Sequence, residues 1–87
     1  MEDRKVLIDN INNVHTTKMG IDRIQKNLKL NINDDEVVKY CIDIVLNKNT
    51  CIYKKGKNYY CNLNNYLITI NSYSYTIITA HILKEGK

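Results

Sequence analysis

Apolar residues recur every three or four positions through the first half of the chain and every second position through the rest. The change falls at Thr50. From Asp3 to Val14, the residues Leu7, Ile8, Ile11 and Val14 share one side of a helix, and Asp9, Asn10, Asn12 and Asn13 fill the other. His15-Thr16-Thr17 interrupts this pattern, and either threonine can cap a second helix through its hydroxyl. Ile21, Ile24 and Leu28 form the stripe of that helix, with Arg23, Lys26, Asn27 and Lys29 around the remainder. Asn33-Asp34-Asp35-Glu36 is the clearest helix start: Asn33 can accept from a free backbone N–H, Glu36 can reach back as in a capping box, and the acidic run suits the positive end of the helix dipole. The third helix carries Val37, Val38, Cys41, Ile42, Ile44, Val45 and Leu46 over more than half its circumference, which makes it the central one.

Beyond Thr50 the twofold alternation predicts four strands. Gly56-Lys57 suits a type II′ two-residue hairpin, and Asn64-Asn65 tolerates the positive φ angles of type I′. In the last hairpin, Ile68, Ile70, Thr76, Ile78, Ala80 and Ile82 share the parity of a core face. Leu67, Thr69, Asn71, Tyr75, Ile77, Thr79 and His81 share the other. A three-residue loop, Ser72-Tyr73-Ser74, keeps the even residues together, sets Thr69 opposite Ile77 and Leu67 opposite Thr79, and brings His81 near Asn65. Followed back through the turns, Ile52, Tyr59, Cys61 and Leu63 join the core face, while Tyr53, Lys55, Tyr60 and Asn62 join the face of Thr69, Thr79 and His81. The expected fold is α+β: three N-terminal helices, at about 3–14, 17–29 and 34–47, followed by a four-stranded antiparallel β-meander, at about 50–55, 58–63, 66–71 and 75–83. Lys84-Glu85-Gly86-Lys87 reads as a solvated tail.

A length of 87 residues suits one domain with a single modest core, and 44% hydrophobic with 25% charged residues is a globular composition. The formal charge of +4 permits a polyanion partner without requiring one. Neither a signal peptide nor a membrane span is readable, so the expected location is cytoplasmic and no membrane partner is predicted. Cys41, Cys51 and Cys61 are odd in number and ten apart, which matches neither a disulfide framework nor the close pairs of a zinc site. They read as buried thiols. No metal and no cofactor is predicted, and three glycines cannot make a phosphate-cradling loop.

His15-Thr-Thr17, Arg23-Ile24 with Asn27-Leu28, Gly56-Lys-Asn-Tyr-Tyr60, Ile68-Thr-Ile-Asn71 and Ser74-Tyr-Thr-Ile-Ile-Thr-Ala-His81 resemble a small bacterial domain family of unknown function, associated mainly with Firmicutes. The resemblance spans almost the whole chain and carries no established activity. It implies that His15, Thr17, Arg23, Lys57, Asn58, Thr79 and His81 are recurrent features. A tryptophan that the resemblance implies at the position of Tyr59 or Tyr60 is replaced here.

His15 and His81 are the chain's two histidines, and histidine moves protons most readily near neutral pH. A metal-independent ribonuclease needs a base, an acid and a cation beside the phosphate. His81, His15 and a lysine such as Lys55 would supply them, with Thr79 and Tyr60 orienting the phosphate. The competing reading makes His81 an edge residue bonded to a turn and His15 a helix-terminal residue bonded to a carbonyl. Binding without chemistry needs less: Tyr53, Tyr60, Leu67, Thr69, Ile77 and Thr79 would form an aromatic and β-branched row edged by Lys55 and Lys57, and Lys54, Arg23 and Lys26 would also meet phosphates. Tyr53, Leu67 and Ile77 would instead be a second core layer if a helix covered them. The sequence therefore points to a binding domain with RNA as the favoured partner and phosphodiester cleavage as an extension. The alternative is a protein-binding regulator or inhibitor, or a homodimeric module without catalysis.

Overall fold

The computed structural model describes residues 2–83; the tail from Lys84 to Lys87 lies outside them. The chain forms α1 (Glu2–Asp9), a 3-10 turn (Ile11–Asn13), α2 (Lys18–Leu28) and α3 (Asp34–Leu46). It then forms β1 (Cys51–Lys55), β2 (Asn58–Leu63), β3 (Tyr66–Asn71) and β4 (Ile77–Ile82), paired in the order β1-β2-β3-β4. Each pair is antiparallel. The fold is the α+β meander that the two periodicities predict.

The first helix is shorter than its apolar spacing predicts. Its asparagines stop it: the backbone N–H and the side-chain amide of Asn10 both bond the Val6 carbonyl, and the Asn13 amide donates to Asn10 Oδ1. Such local bonds compete with the helical ladder. Thr17 caps α2 by accepting from the Gly20 N–H at 3.0 Å, and Lys29, in the left-handed region at φ 56°, closes its far end by donating to Gln25 and Lys26 carbonyls. At α3 the expected Asn33 side-chain cap is not formed; Asn33 contributes its carbonyl to Glu36 N–H, and Asp34, Asp35 and Glu36 supply the charge that favours the helix start. Asp34 also ties α3 to α2, accepting from Gln25 Nε2 at 3.1 Å with Lys18 Nζ 3.7 Å away.

All three helices contribute to one apolar layer on one face of the sheet. Leu7, Ile24, Leu28, Val37, Cys41, Ile44 and Val45 meet Ile52, Tyr59, Cys61, Ile68, Ile70, Ile77 and Ala80. Burial pushes the Cys41 and Cys61 thiols up to about 12, and the hydroxyl bond from Tyr40 to Tyr66, reinforced by burial, pushes Tyr40 up to about 12. These groups stay protonated near neutrality and belong to the core.

The first two turns transmit the expected register. Lys55 opposes Asn58 across Gly56-Lys57, with Gly56 at φ 63°, and Leu63 opposes Tyr66 across Asn64-Asn65. Only Asn64 of that second pair takes positive φ, so the turn is not the expected type I′, which needs both. The β3–β4 connection differs more. Asn71 donates to the Thr76 carbonyl, which leaves a four-residue loop, Ser72 to Tyr75, in place of three. An even loop inverts the parity, and an irregularity after the Thr69–Thr79 pair restores it. Ile70 therefore opposes Ile77, Thr69 opposes Thr79, Ile68 opposes Ala80 and Leu67 opposes His81. The expected pairings of Thr69 with Ile77 and Leu67 with Thr79 are both overturned, and Leu83 rather than His81 meets Asn65. Ile77 is 2% exposed in the core, while Ile78, assigned to the core by parity, is 39% exposed.

Both sheet edges are engaged over part of their length. Asp3 Oδ2 accepts the outward N–H of Lys54 at 3.0 Å, and Arg4 donates to the carbonyls of Asn47 and Thr50. Along β4, His15 forms a parallel bridge: its N–H donates to Tyr75 and its carbonyl accepts from Ile77. Thr16 Oγ1 donates to the Ile77 carbonyl at 3.0 Å, and α2 packs beside the rest of the strand, where Ala80 is buried.

Candidate nucleic-acid interface

Register alone lays out the uncovered face. Tyr53, Tyr60, Thr69 and Thr79 form a row across all four strands; Cys51, Asn62, Leu67 and His81 lie on one side of it, and Lys55, Asn58 and Asn71 on the other. The Tyr53 and Tyr60 rings stack at 5.4 Å between centroids and 24° between planes. Tyr53 is 45% exposed, so the outer end of this row reaches solvent. Thr69, between Tyr60 and Thr79, is only 5% exposed and is a floor, not a contact. No helix forms a second core layer here: Leu67 is half-buried, and Ile77 has moved to the main core. Among the described residues there is no enclosed pocket, and no three His, Cys, Asp or Glu side chains gather as a metal site would require. No helix among the described residues is long and apolar enough to cross a membrane.

The residues proposed from sequence to touch nucleic acid divide between two sides. Tyr53, Tyr60 and Thr69 share the open face, with Lys57 in the turn at its end. Lys54 opposes the core residue Tyr59 and so leaves β1 on the helix side. Arg23 and Lys26 sit on the exposed surface of α2, behind the sheet.

The proposed catalytic residues are not assembled either. Thr79 Oγ1 and His81 Nδ1 are 3.1 Å apart. His15 bridges Thr76, five residues back along β4, a separation of about 16 Å at strand rise. Lys55 lies on the opposite edge strand and at the end away from His81. An acid, a base and a cation around one phosphate are therefore not brought together.

His15 has a different setting. Its Nδ1 is 2.8 Å from the Asn13 carbonyl and its Nε2 is 3.2 Å from Thr76 Oγ1. A carbonyl can only accept, so the bonding pattern places a ring proton on Nδ1, with Nε2 facing the Thr76 hydroxyl. Thr76 Oγ1 is in turn 2.8 Å from Ser74 Oγ, which reaches Asn71 Oδ1 at 3.2 Å. This chain looks like an activated hydroxyl, yet it lacks a receptor for developing negative charge. The N–H groups of Tyr73 and Ser74 are taken by Asn71 Oδ1, and that of Tyr75 by the Asn71 carbonyl. It fastens the loop to the segment before α2. His15-Thr16-Thr17 thus acts as a latch, through a backbone bridge, a hydroxyl bond to β4 and a helix cap.

One signal for the open face lies in plain sight in the sequence and is independent of spacing. From Thr50 to Leu83 there is no carboxylate and there are three lysines; Glu2 to Asn49 hold eight carboxylates against eight lysines and arginines. The sheet carries the chain's excess charge.

No curated protein and no solved structure matches the chain. The family model described as "Protein of unknown function (DUF3781)" matches residues 8–81, which takes in α2, α3, all but the end of β4 and the latch. The chain belongs to that family.

Proposed function

We propose that this protein binds single-stranded RNA on the open face of its sheet, as a binding module. The observation that carries this reading is a carboxylate-free sheet presenting stacked Tyr53 and Tyr60 beside Lys55 and Lys57. Every base has a π face, so such rings accept bases with little sequence preference, while lysines follow the phosphates. The engaged edges favour the same surface: a partner cannot add a strand at Lys54 or Ile77 without displacing Asp3 or His15. The separation of His15 from His81 argues against strand cleavage by that pair.

The test is titration of a labelled mixed-sequence single-stranded RNA in EDTA over a series of salt concentrations, with Lys55→Gln and Lys57→Gln combined. The double variant should bind more weakly at every sequence. Its plot of log affinity against log salt should be shallower by about 1.4 if both lysines contact phosphate. Tyr53→Ala should weaken binding by about 1–3 kcal/mol. Wild-type protein that binds no RNA at low salt would overturn the proposal and direct the search to protein partners.

A further inference from the structure

The search for a second functional feature leads to the loop between β3 and β4, which the open face alone does not explain. Ser72 N–H donates to the Lys57 carbonyl at 2.8 Å, so this loop stands against the lysine-bearing turn. Asn71 orders it from below, with Oδ1 taking the N–H groups of Tyr73 and Ser74 at 2.9 Å each. Tyr75 completes the turn at φ 60°, a backbone region that bulky side chains rarely adopt. Two contacts hold it there. Its ring stacks on Tyr59 with centroids 6.5 Å apart, and its carbonyl accepts from the His15 N–H at 3.1 Å. Between these anchors Tyr73 is 74% exposed, the most exposed tyrosine of the described residues. Fixing the backbone that carries a large exposed ring before a ligand arrives removes part of the ordering cost of binding.

A second observation points to the same junction. Among the described residues, two buried side-chain oxygens have no hydrogen-bond partner, Asn58 Oδ1 and Ser72 Oγ. Asn58 follows Lys57 and pairs with Asn71, and Ser72 begins the loop. Hydrogen-bonding capacity, positive charge and an exposed aromatic ring on an ordered loop thus meet where β2, β3 and the loop converge.

We infer that Tyr73 is a further base-stacking residue, and that the single strand runs from the Tyr53–Tyr60 pair past Lys55 and Lys57 to the β3–β4 loop. The inference rests on the RNA-binding reading and adds the direction of the path. Two residues of strand, about 7 Å at strand rise, and then the turn separate the level of Thr69 from Tyr73, which makes the ligand a short single strand, not a lone nucleotide.

The experiment is fluorescence anisotropy at low salt with a single-stranded RNA of about six nucleotides, comparing wild type with Tyr73→Ala, Tyr73→Phe and Tyr53→Ala. Tyr73→Ala should lose about five- to a hundredfold in affinity, while Tyr73→Phe binds as wild type and both melt with the wild-type protein. A Tyr73→Ala variant that binds as wild type, beside a weakened Tyr53→Ala, would overturn the loop inference and leave the platform standing. Wild-type protein that does not bind would overturn both.

Discussion

Gly20 is buried in the first turn of α2, where alanine would be favoured by about 1 kcal/mol on propensity alone. A Cβ at Gly20 would fall on Thr16 Oγ1, the hydroxyl that donates to the Ile77 carbonyl. The glycine is explained by that passage of a side chain over the helix start. Gly20→Ala should therefore destabilise the protein by about 1–3 kcal/mol in denaturant melts, as overpacking does. In a Thr16→Ala background the obstructing hydroxyl is gone and most of that cost should disappear. Costs that simply add in the double mutant would show that Gly20 serves some other contact.

At the level of elements, the four-residue loop and the irregularity in β4 act as a compensating pair. Each alone would turn a stretch of β4 inside out; together they leave Ala80 facing the core, as the even parity requires. They confine the inversion to the stretch before Thr79, where Ile77 takes the core place expected of Ile78, Thr76 bonds Asn71 of the open face and Tyr75 packs on Tyr59. Ile77→Ala should cost about 2–5 kcal/mol and Ile78→Ala less than about 1 kcal/mol in chemical denaturation. Equal costs would contradict the register. This is also where sequence reading reaches its limit. Gly56-Lys57 and Asn64-Asn65 announce short turns, so parity passes from β1 to β3 by local chemistry. Ser72-Tyr73-Ser74-Tyr75 has no glycine or proline to announce its length, and the adjacent isoleucines satisfy either face. The choice between them is reinforced by His15, far away in the chain, through its carbonyl's bond to Ile77 N–H. The stacked tyrosines and the Thr79–His81 pair were legible because they need only parity. Lys54 is set apart from that face by the same parity, which it shares with Ile52. The division of Arg23 and Lys26 from the open face is not legible, because it depends on which side the helices cover. Tyr73 reads in the sequence as a plain loop residue, its exposure being a property of the Asn71 turn.

Across the whole molecule, charge and the engaged edges act together. The helical half is balanced in charge and carries the three ion pairs of the described residues, Lys5–Asp9, Lys18–Asp34 and Lys39–Asp43, all exposed and worth little individually. Lys54, Lys55 and Lys57 have no such partner among the described residues, so their field remains available to an anion. The latch on the β4 edge also has a consequence in time. The three strand pairings join neighbours in sequence and need only short loops to close, whereas the contact of His15 with Thr76 must bring together segments from near the two ends of the chain. The cost of closing so long a loop predicts that this contact is made late in folding. Thr16→Val, which keeps the shape and removes the hydroxyl bond to Ile77, should leave the refolding rate unchanged and raise the unfolding rate about fivefold for a loss of about 1 kcal/mol. Stopped-flow kinetics across a denaturant series would show it as a displaced unfolding arm. Slower refolding would mean that the latch belongs to the folding nucleus. With the latch made late, the lifetime of the native state is set where the two ends of the chain meet.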